Sequence, residues 1–552
     1  MRGFSLKKRR DDLERVGEAP VDVVVVGGGI TGAGVAREAA LRGLDVVLLD
    51  RGDFASGTSS RSSKLIHGGV RYLEQGDIAL VREAARERAV LRRIAPHLAA
   101  PVRMLLPARS RGGKMKLAAG LWTFERLAGS SDEKPHEVLD RKSTIGAEPG
   151  LRSEALSGSV AFTEYITNDA RLTLETIQSA AASGARVASY AGVVAMEDDP
   201  IGLRVTVEDT LAGSQLVIRA RCVVNAAGPW FDRVRGLRTD DGRSMVQLTR
   251  GIHLVVPRSR FPVSHVVVLR APDGRSAFVV PRGDLAYIGT TDTEYAGDPA
   301  EPGVVAEDVE YLLASAAATF EDAPTASDVI GAWSGVRPLL RQDGKKPSEI
   351  SRRDEILRGP GPFISIAGGK LTTYRRMAER VVDSMRDLVG SREQRRVDSA
   401  SIALAGGSVD EQGAARAAAR RLDDAVLDDR LWATYGVAAA DIVDRIHADP
   451  AGAERVGGLE CLTRAELEHA VDGEMVTSLD DLLRRRSHVA MFQTGSALGA
   501  AGDAAALLGE RLGWSAADAA REVADFARDR KIELATARRA GTAATAARTG
   551  SE

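Results

Sequence analysis

Cysteine is nearly absent: two in 552 residues, Cys222 and Cys461, far apart and part of no metal-binding spacing. A disulfide framework is therefore excluded, and a reducing compartment fits. Histidine is scarce too, and the eight present show no ligand-like clustering, so no metal is expected. No apolar run is long enough to span a bilayer, and none follows the N-terminus as the core of a signal peptide would. An excess of charge is also missing. Lys and Arg number 75 against 77 Asp and Glu, a net charge of −2, which gives no footprint for a nucleic-acid partner. What remains is an ordinary globular composition, 44% hydrophobic and 28% charged, over a length that calls for two or three domains. The expected setting is the cytoplasm.

Residues 21–50, VDVVVVGGGITGAGVAREAALRGLDVVLLD, read as strand, glycine turn, helix and second strand. Residues 23–26 form a β-branched apolar run suited to a strand buried on both faces. G-x-G-x-x-G follows, filled by Gly27, Gly29 and Gly32, with Gly28 and Thr31 inside the turn. The first glycine permits the turn, the second lets a pyrophosphate approach the backbone, and the third lets the helix pack on the strand. The helix N-terminus then faces the phosphates. The second strand ends in Asp50, which can accept hydrogen bonds from a ribose hydroxyl and disfavours a 2′-phosphate.

Three later stretches extend this site. Residues 58–64, TSSRSSK, follow the second strand, and Thr58, Ser59, Ser60, Ser63 and Lys64 offer donors to phosphate and ribose oxygens. In IHGGVRY, Gly68 and Gly69 let the backbone approach a flat ring system, beside His67, Arg71 and Tyr72. RCVVNAAGPW is a second apolar strand whose small residues, Ala227 and Gly228, leave room for a cofactor next to the first strand. FISIAGGKLTTY is a strand, the pair Gly368 and Gly369, then a helix start carrying Lys370, Leu371 and Thr372, again presenting a positive dipole end to something anionic.

Between these, residues 245–295 contain short apolar runs parted by Pro, Gly and Asp, the pattern of an antiparallel sheet over one side of the cofactor. Residues 97–150 are mixed, with a helix expected over 114–127. The chain thus divides into a flexible basic arm (1–20), a discontinuous dinucleotide-binding domain (21–390) with an inserted substrate sheet (about 245–330), a helical C-terminal domain (395–535) and a disordered tail (536–552). The basic arm reads either as frayed chain or as a contact with anionic lipid.

With these motifs in order, the chain resembles the FAD-dependent glycerol-3-phosphate dehydrogenases of the respiratory type. The resemblance covers nearly the whole chain, through TSSRSSKLIHGGVRYLE, NAAGPW, GIHLVVP, GTTDTEY, SGVRP, GGKLTTYR and EMVTSLDDLLRRR. It implies an α/β, glycine-oxidase-like flavoprotein fold with non-covalent FAD. It also implies oxidation of sn-glycerol 3-phosphate to dihydroxyacetone phosphate, with electrons passed to a quinone. Peripheral membrane contact and a homodimer are compatible with it. The family's arginine pair after SGVRP falls here on Arg352 and Arg353, of which the spacing favours Arg352 as substrate ligand.

Taking a hydride from a secondary alcohol needs an acceptor against the carbon, a group to take the hydroxyl proton and a grip on the anionic end. The proton acceptor is expected to be His253, in GIHLVVP, with His67 second. Arg337, fixed by Gly335 and Pro338, can stabilise the developing alkoxide. Arg71, Arg352 and Lys370 are candidates for phosphate, and Lys370 could instead serve the flavin. The competing readings are an oxygen-using oxidase, an amine oxidase of the same fold and a non-catalytic flavin scaffold.

Overall fold

The computed structural model describes residues 4–67, 78–128, 134–154, 156–239, 241–271, 273–341, 354–390 and 395–549. The strand Val21–Val26 lies at the centre of the first of two large sheets. On one side it pairs in parallel with Val46–Leu49, and on the other with the end of Ser214–Asn225, in the register Val23↔Cys222 to Val26↔Asn225. Phe363–Ala367 continues the parallel sheet beyond Asn225, and Arg186–Ala188 extends it beyond Leu49. The strand ending Asn-Ala-Ala-Gly therefore does lie beside the glycine-turn strand, almost 200 residues away in sequence.

Alternation explains how one strand serves two cores. Val23 and Val25 face the helices Ile30–Leu41, Asp169–Ala182 and Tyr374–Ser384, in a cluster with Ala36, Ile177 and Val381. Val24 and Val26 face the antiparallel meander Ala191–Asp199 and Gly202–Asp209, with Leu13 and Val16 below it. Asn168 caps Asp169–Ala182 by accepting from the Arg171 amide at 2.9 Å.

The second sheet is larger than the spacing of 245–295 implied. It joins the runs of that segment to Gly331–Leu340, Ala100–Ala108 and Gly158–Ile166. The mixed stretch near 100 thus supplies a nine-residue strand whose Pro101 and Pro107 mask its pattern. All pairings in this sheet are antiparallel except that of Val266–Arg270 with Ala100–Ala108. From residue 409 onward the chain is helical, with Thr463 and Glu466 forming a capping box at the start of Arg464–Glu474.

Two terminal expectations are corrected. The supposed flexible arm forms the helix Leu6–Arg15, capped by Ser5. Its Arg9 is buried and grips Asp209 through both terminal nitrogens, at 3.0 and 2.7 Å, and the Ser189 carbonyl at 2.7 Å. Residues 536–549 of the supposed disordered tail belong to the helix Ala516–Thr549, where Ala537 is fully buried and Arg538 donates to the Val329 carbonyl at 2.8 Å.

Candidate active site

A cleft of about 1510 Å3 runs along the C-terminal ends of the parallel strands and on beneath the second sheet. At one end lies the glycine turn. Gly27 has φ +110°, and a Cβ there would stand 2.7 Å from the Ala226 carbonyl oxygen; a Cβ on Gly32 would stand 1.9 Å from that of Gly27. Only glycine allows strand, helix and the neighbouring Ala226 to approach this closely. Asp50 accepts from the amides of Gly28 (2.6 Å) and Gly52 (2.9 Å), yet burial pushes its carboxyl up to about 6 despite both bonds. Gly27, Gly29, Thr31, Asp50, Ala227 and Gly228 all border the cleft. Gly28 and Gly32 sit behind it as packing positions. Glycine backbone, helix N-terminus and one acceptor carboxylate are the donor set an extended dinucleotide requires.

The serine-rich loop is divided in role. Ser59 accepts from the Ile30 amide at the helix start (2.9 Å), and Thr58 donates to the Val336 carbonyl (2.6 Å), tying the two sheets together. Ser63 lies 2.9 Å from His253 Nε2. Ser60 and Lys64 do not border the cleft. The phosphate role expected of Lys64 is corrected: its side chain is fully buried, with the ammonium 2.6 Å from Asp169 and 2.9 Å from the Ser60 carbonyl. A buried ammonium needs such a partner, and no local signal around Lys64 points to Asp169, more than 100 residues on.

The other end of the cleft gathers His253, His67, Arg337 and Lys370 from four separate segments. His253, on Val246–Pro257, is stacked on Trp333 of the paired strand with ring centroids 4.5 Å apart. Burial, then Arg337 and Lys64, hold its pKa well below the usual histidine value, so the ring is neutral. Its Nδ1 is buried with no hydrogen-bond partner among the described residues. An unsatisfied buried nitrogen costs about 1–3 kcal/mol, which a leucine at this strand position would avoid. Arg337 donates to Thr290 Oγ1 (2.9 Å) and the Thr291 carbonyl (3.1 Å) and meets Asp292 at 3.3 Å. Gly251 on the adjacent strand makes room for it: a Cβ there would lie 2.5 Å from the guanidinium. Lys370 precedes the turn Leu371–Thr373 that starts the helix Tyr374–Ser384, and Gly368, Gly369, Leu371 and Thr372 line the cleft beside it. Gly68, Gly69, Arg71, Tyr72, Arg352 and Arg353 lie outside the described residues.

Some walls of the cleft were not anticipated. Tyr190, Gly192 and Val193 border the Asp50 end, and so do Ser478, Asp480 and Arg485 from the C-terminal domain. The composition of LDDLLRRR suits an ordinary helix with a basic end, whereas Arg484, Arg485 and Arg486 are all buried. The acidic pair Asp480 and Asp481, separated from three arginines by only two leucines, was the signal available.

Comparison with known proteins agrees with this architecture. A family model described as FAD dependent oxidoreductase matches residues 22–375, and one described as the C-terminal domain of alpha-glycerophosphate oxidase matches 397–519. The chain is 43% identical over 368 residues to the aerobic glycerol-3-phosphate dehydrogenase of Staphylococcus haemolyticus, covering 66% of each chain. It is 41% identical over 388 residues to that of Bacillus subtilis, covering 70% of each. The matched stretch thus spans about two thirds of these relatives' length. The crystal structure of glycerol-3-phosphate dehydrogenase from Bacillus halodurans complexed with FAD superposes with a TM-score of 0.80 at 35% identity, over 97% of this chain and 99% of that one. Glycine oxidase from Geobacillus kaustophilus, at 24% identity and a TM-score of 0.51, shares the fold over 70% of this chain and 98% of its own.

Proposed function

The chain belongs to the FAD-dependent glycerol-3-phosphate dehydrogenase family, and from that premise we propose that it binds FAD without a covalent bond and oxidises sn-glycerol 3-phosphate to dihydroxyacetone phosphate. The observation that carries this reading is the continuity of one cleft from the glycine turn and Asp50 to His253, Arg337 and Lys370. FAD, when bound, supplies the hydride acceptor. The chain's own residues do the rest. The Arg337 guanidinium and Lys370 ammonium attract the anionic substrate and steady its oxygens. The substrate proton goes to His253 Nε2, directly or through the Ser63 hydroxyl, which lies 2.9 Å from Nε2 and itself lines the cleft. The imidazole is in the neutral form needed to accept it, and a phosphate drawn into the cleft raises its proton affinity. Adding sn-glycerol 3-phosphate anaerobically to purified protein should bleach the flavin absorbance. Bleaching by glycine or sarcosine instead would establish the amine-oxidase reading.

A quinone is the proposed electron acceptor. The outer wall of the cleft is apolar, with Met104, Leu106, Leu117, Phe162, Val268 and Phe278. Leu117 belongs to the helix Arg111–Ala128, whose outward face carries Met115 and Trp122, 63% and 53% exposed, among Lys116 and Arg126. Among the described residues no helix is long and apolar enough to cross a membrane. Apolar side chains among cations suit the surface of an anionic bilayer, and this face replaces the N-terminal arm as the proposed peripheral contact. Burying one such side chain is worth about 1.5–3 kcal/mol. Met115→Ser with Trp122→Ser should therefore weaken binding to anionic vesicles at least roughly tenfold, as read by co-sedimentation. Unchanged sedimentation would move the contact elsewhere. The match to an oxidase C-terminal domain keeps oxygen as the second acceptor, and peroxide production outpacing reduction of a soluble quinone would favour it.

Asp50 gives this reading a pH dependence. Its carboxylate is proposed to accept from the FAD ribose, and its pKa of about 6 means that it protonates as pH falls through that value. FAD affinity should be level above pH about 7 and fall below 6, by at most about tenfold per unit. Fluorescence titration of apoprotein across this range checks it, and a dissociation constant unchanged down to pH 5 would contradict the assignment.

A further inference from the structure

The segment Asp481–Arg486 is wound wider than an α-helix, and the Ser487 amide reaches back five residues to the Leu482 carbonyl at 2.9 Å. In an α-helix consecutive side chains are about 100° apart, so three in a row cannot share one face. Here Arg484, Arg485 and Arg486 are all 5% exposed or less. Two of them converge on Asp53. Arg485 Nε lies 2.5 Å from Asp53 Oδ2, and the Arg486 terminal nitrogens lie 2.8 and 3.0 Å from its two oxygens. Arg485 also holds Asp480 (2.5 Å) and Asp481 (2.6 Å), and Arg486 donates to the Glu474 carbonyl at 2.7 Å.

Asp53 sits on the loop that builds the nucleotide end of the cleft. Three residues before it, Asp50 accepts from Gly28 and Gly52. Just after it, Phe54 packs against Gly28, where a Cβ would stand 2.6 Å from the ring, and the Ala55 amide donates to the Gly28 carbonyl at 3.0 Å. Ser478, Asp480 and Arg485 themselves border the same part of the cleft. The C-terminal domain therefore grips the loop that orients the ribose acid and also walls the space the dinucleotide would occupy. An ion network serving only to join two domains has no need to border that space.

We propose that Arg485 and Arg486 are positioning residues for the dinucleotide, acting through Asp53 on the loop of Asp50, so that FAD binding and docking of the C-terminal domain strengthen each other. The proposal rests on the reading that the cleft holds FAD. Coupling of this kind is reciprocal, which makes it measurable from either side. Amide hydrogen exchange of the full-length apoprotein, with and without FAD, is the direct test. FAD should slow exchange in residues 476–490 as well as in 27–60. Arg486→Lys keeps the charge but loses the two-pronged grip on Asp53. It should raise the FAD dissociation constant about tenfold while the melting temperature of the apoprotein stays near that of the parent. Protection of 27–60 with none in 476–490 would overturn the proposal. So would an Arg486→Lys protein that melts early yet binds FAD as the parent does. A parent apoprotein that takes up no FAD would overturn the functional reading and this proposal with it. If the variant does not fold, the exchange measurement on the parent decides alone.

Discussion

His253→Ala is expected to slow anaerobic flavin reduction by sn-glycerol 3-phosphate about 10²–10⁴-fold, the usual cost of removing a general base. Substrate binding should change far less, because Arg337 and Lys370 attract the phosphate from other segments. The case for His253 is geometric first. Its ring is held flat on Trp333, and Nε2 meets the cleft-lining Ser63 at 2.9 Å. A free imidazole has a pKa near neutrality. The structure sets it well below, because burial and two neighbouring cations disfavour the imidazolium. The consequence is a base already in its accepting form at neutral pH, which gains proton affinity only when an anionic substrate arrives. Rapid-reaction measurements at saturating substrate separate the reduction step from binding. A variant reduced at the parent rate would transfer the role to His67, which borders the same end of the cleft.

Gly32→Ala should abolish FAD retention. The new methyl group would stand 1.9 Å from the Gly27 carbonyl oxygen and 3.4 Å from Ala226 Cβ, and the near obstacle is backbone that cannot rotate away. Helix and turn must separate, which displaces the amides at the helix start. Overpacking of this kind typically costs about 1–3 kcal/mol in stability, and the loss of the phosphate-binding geometry comes on top of it. The variant should purify colourless, with an FAD dissociation constant raised roughly 100-fold, the equivalent of about 2.7 kcal/mol of binding free energy. Gly236→Ala is the control, since a Cβ there meets nothing within 4 Å. A yellow Gly32→Ala protein with parent flavin content would show that the helix does not need this close approach.

Both residues were legible because their signals are local. The glycine turn and Asp50 fall within thirty residues, where spacing alone distinguishes a dinucleotide site from an ordinary crossover. The strand ending at Asn225 and the helix start after Lys370 announced themselves through short runs of small residues. What could not be read were side chains whose partners are remote. Lys64 looks like a phosphate ligand until Asp169 is placed beside it. Arg9 looks like part of a free arm until Asp209 closes on it from 200 residues away. Arg485 and Arg486 look solvated because charged residues at a helix end are usually exposed, and they are inside only because the whole segment Asp481–Arg486 is enclosed by the fold. Charge in a sequence gives the probable exposure of a residue, and burial with a distant partner is the case in which that inference fails.

The order of strands in the first sheet also has a consequence for how the protein is made. Phe363–Ala367 completes the parallel core by pairing with Val223–Asn225, about 340 residues after the glycine-turn strand has been synthesised. At 5–20 residues per second, a ribosome takes roughly 17 to 70 s to cover that distance. Through this interval the valines of Val21–Val26 and Val46–Leu49 are outside the tunnel without their final neighbours, and Asp53 waits longer still for residues 485 and 486. The nascent chain must therefore be shielded from aggregation for most of its synthesis, and the cofactor can be captured only near the end of translation.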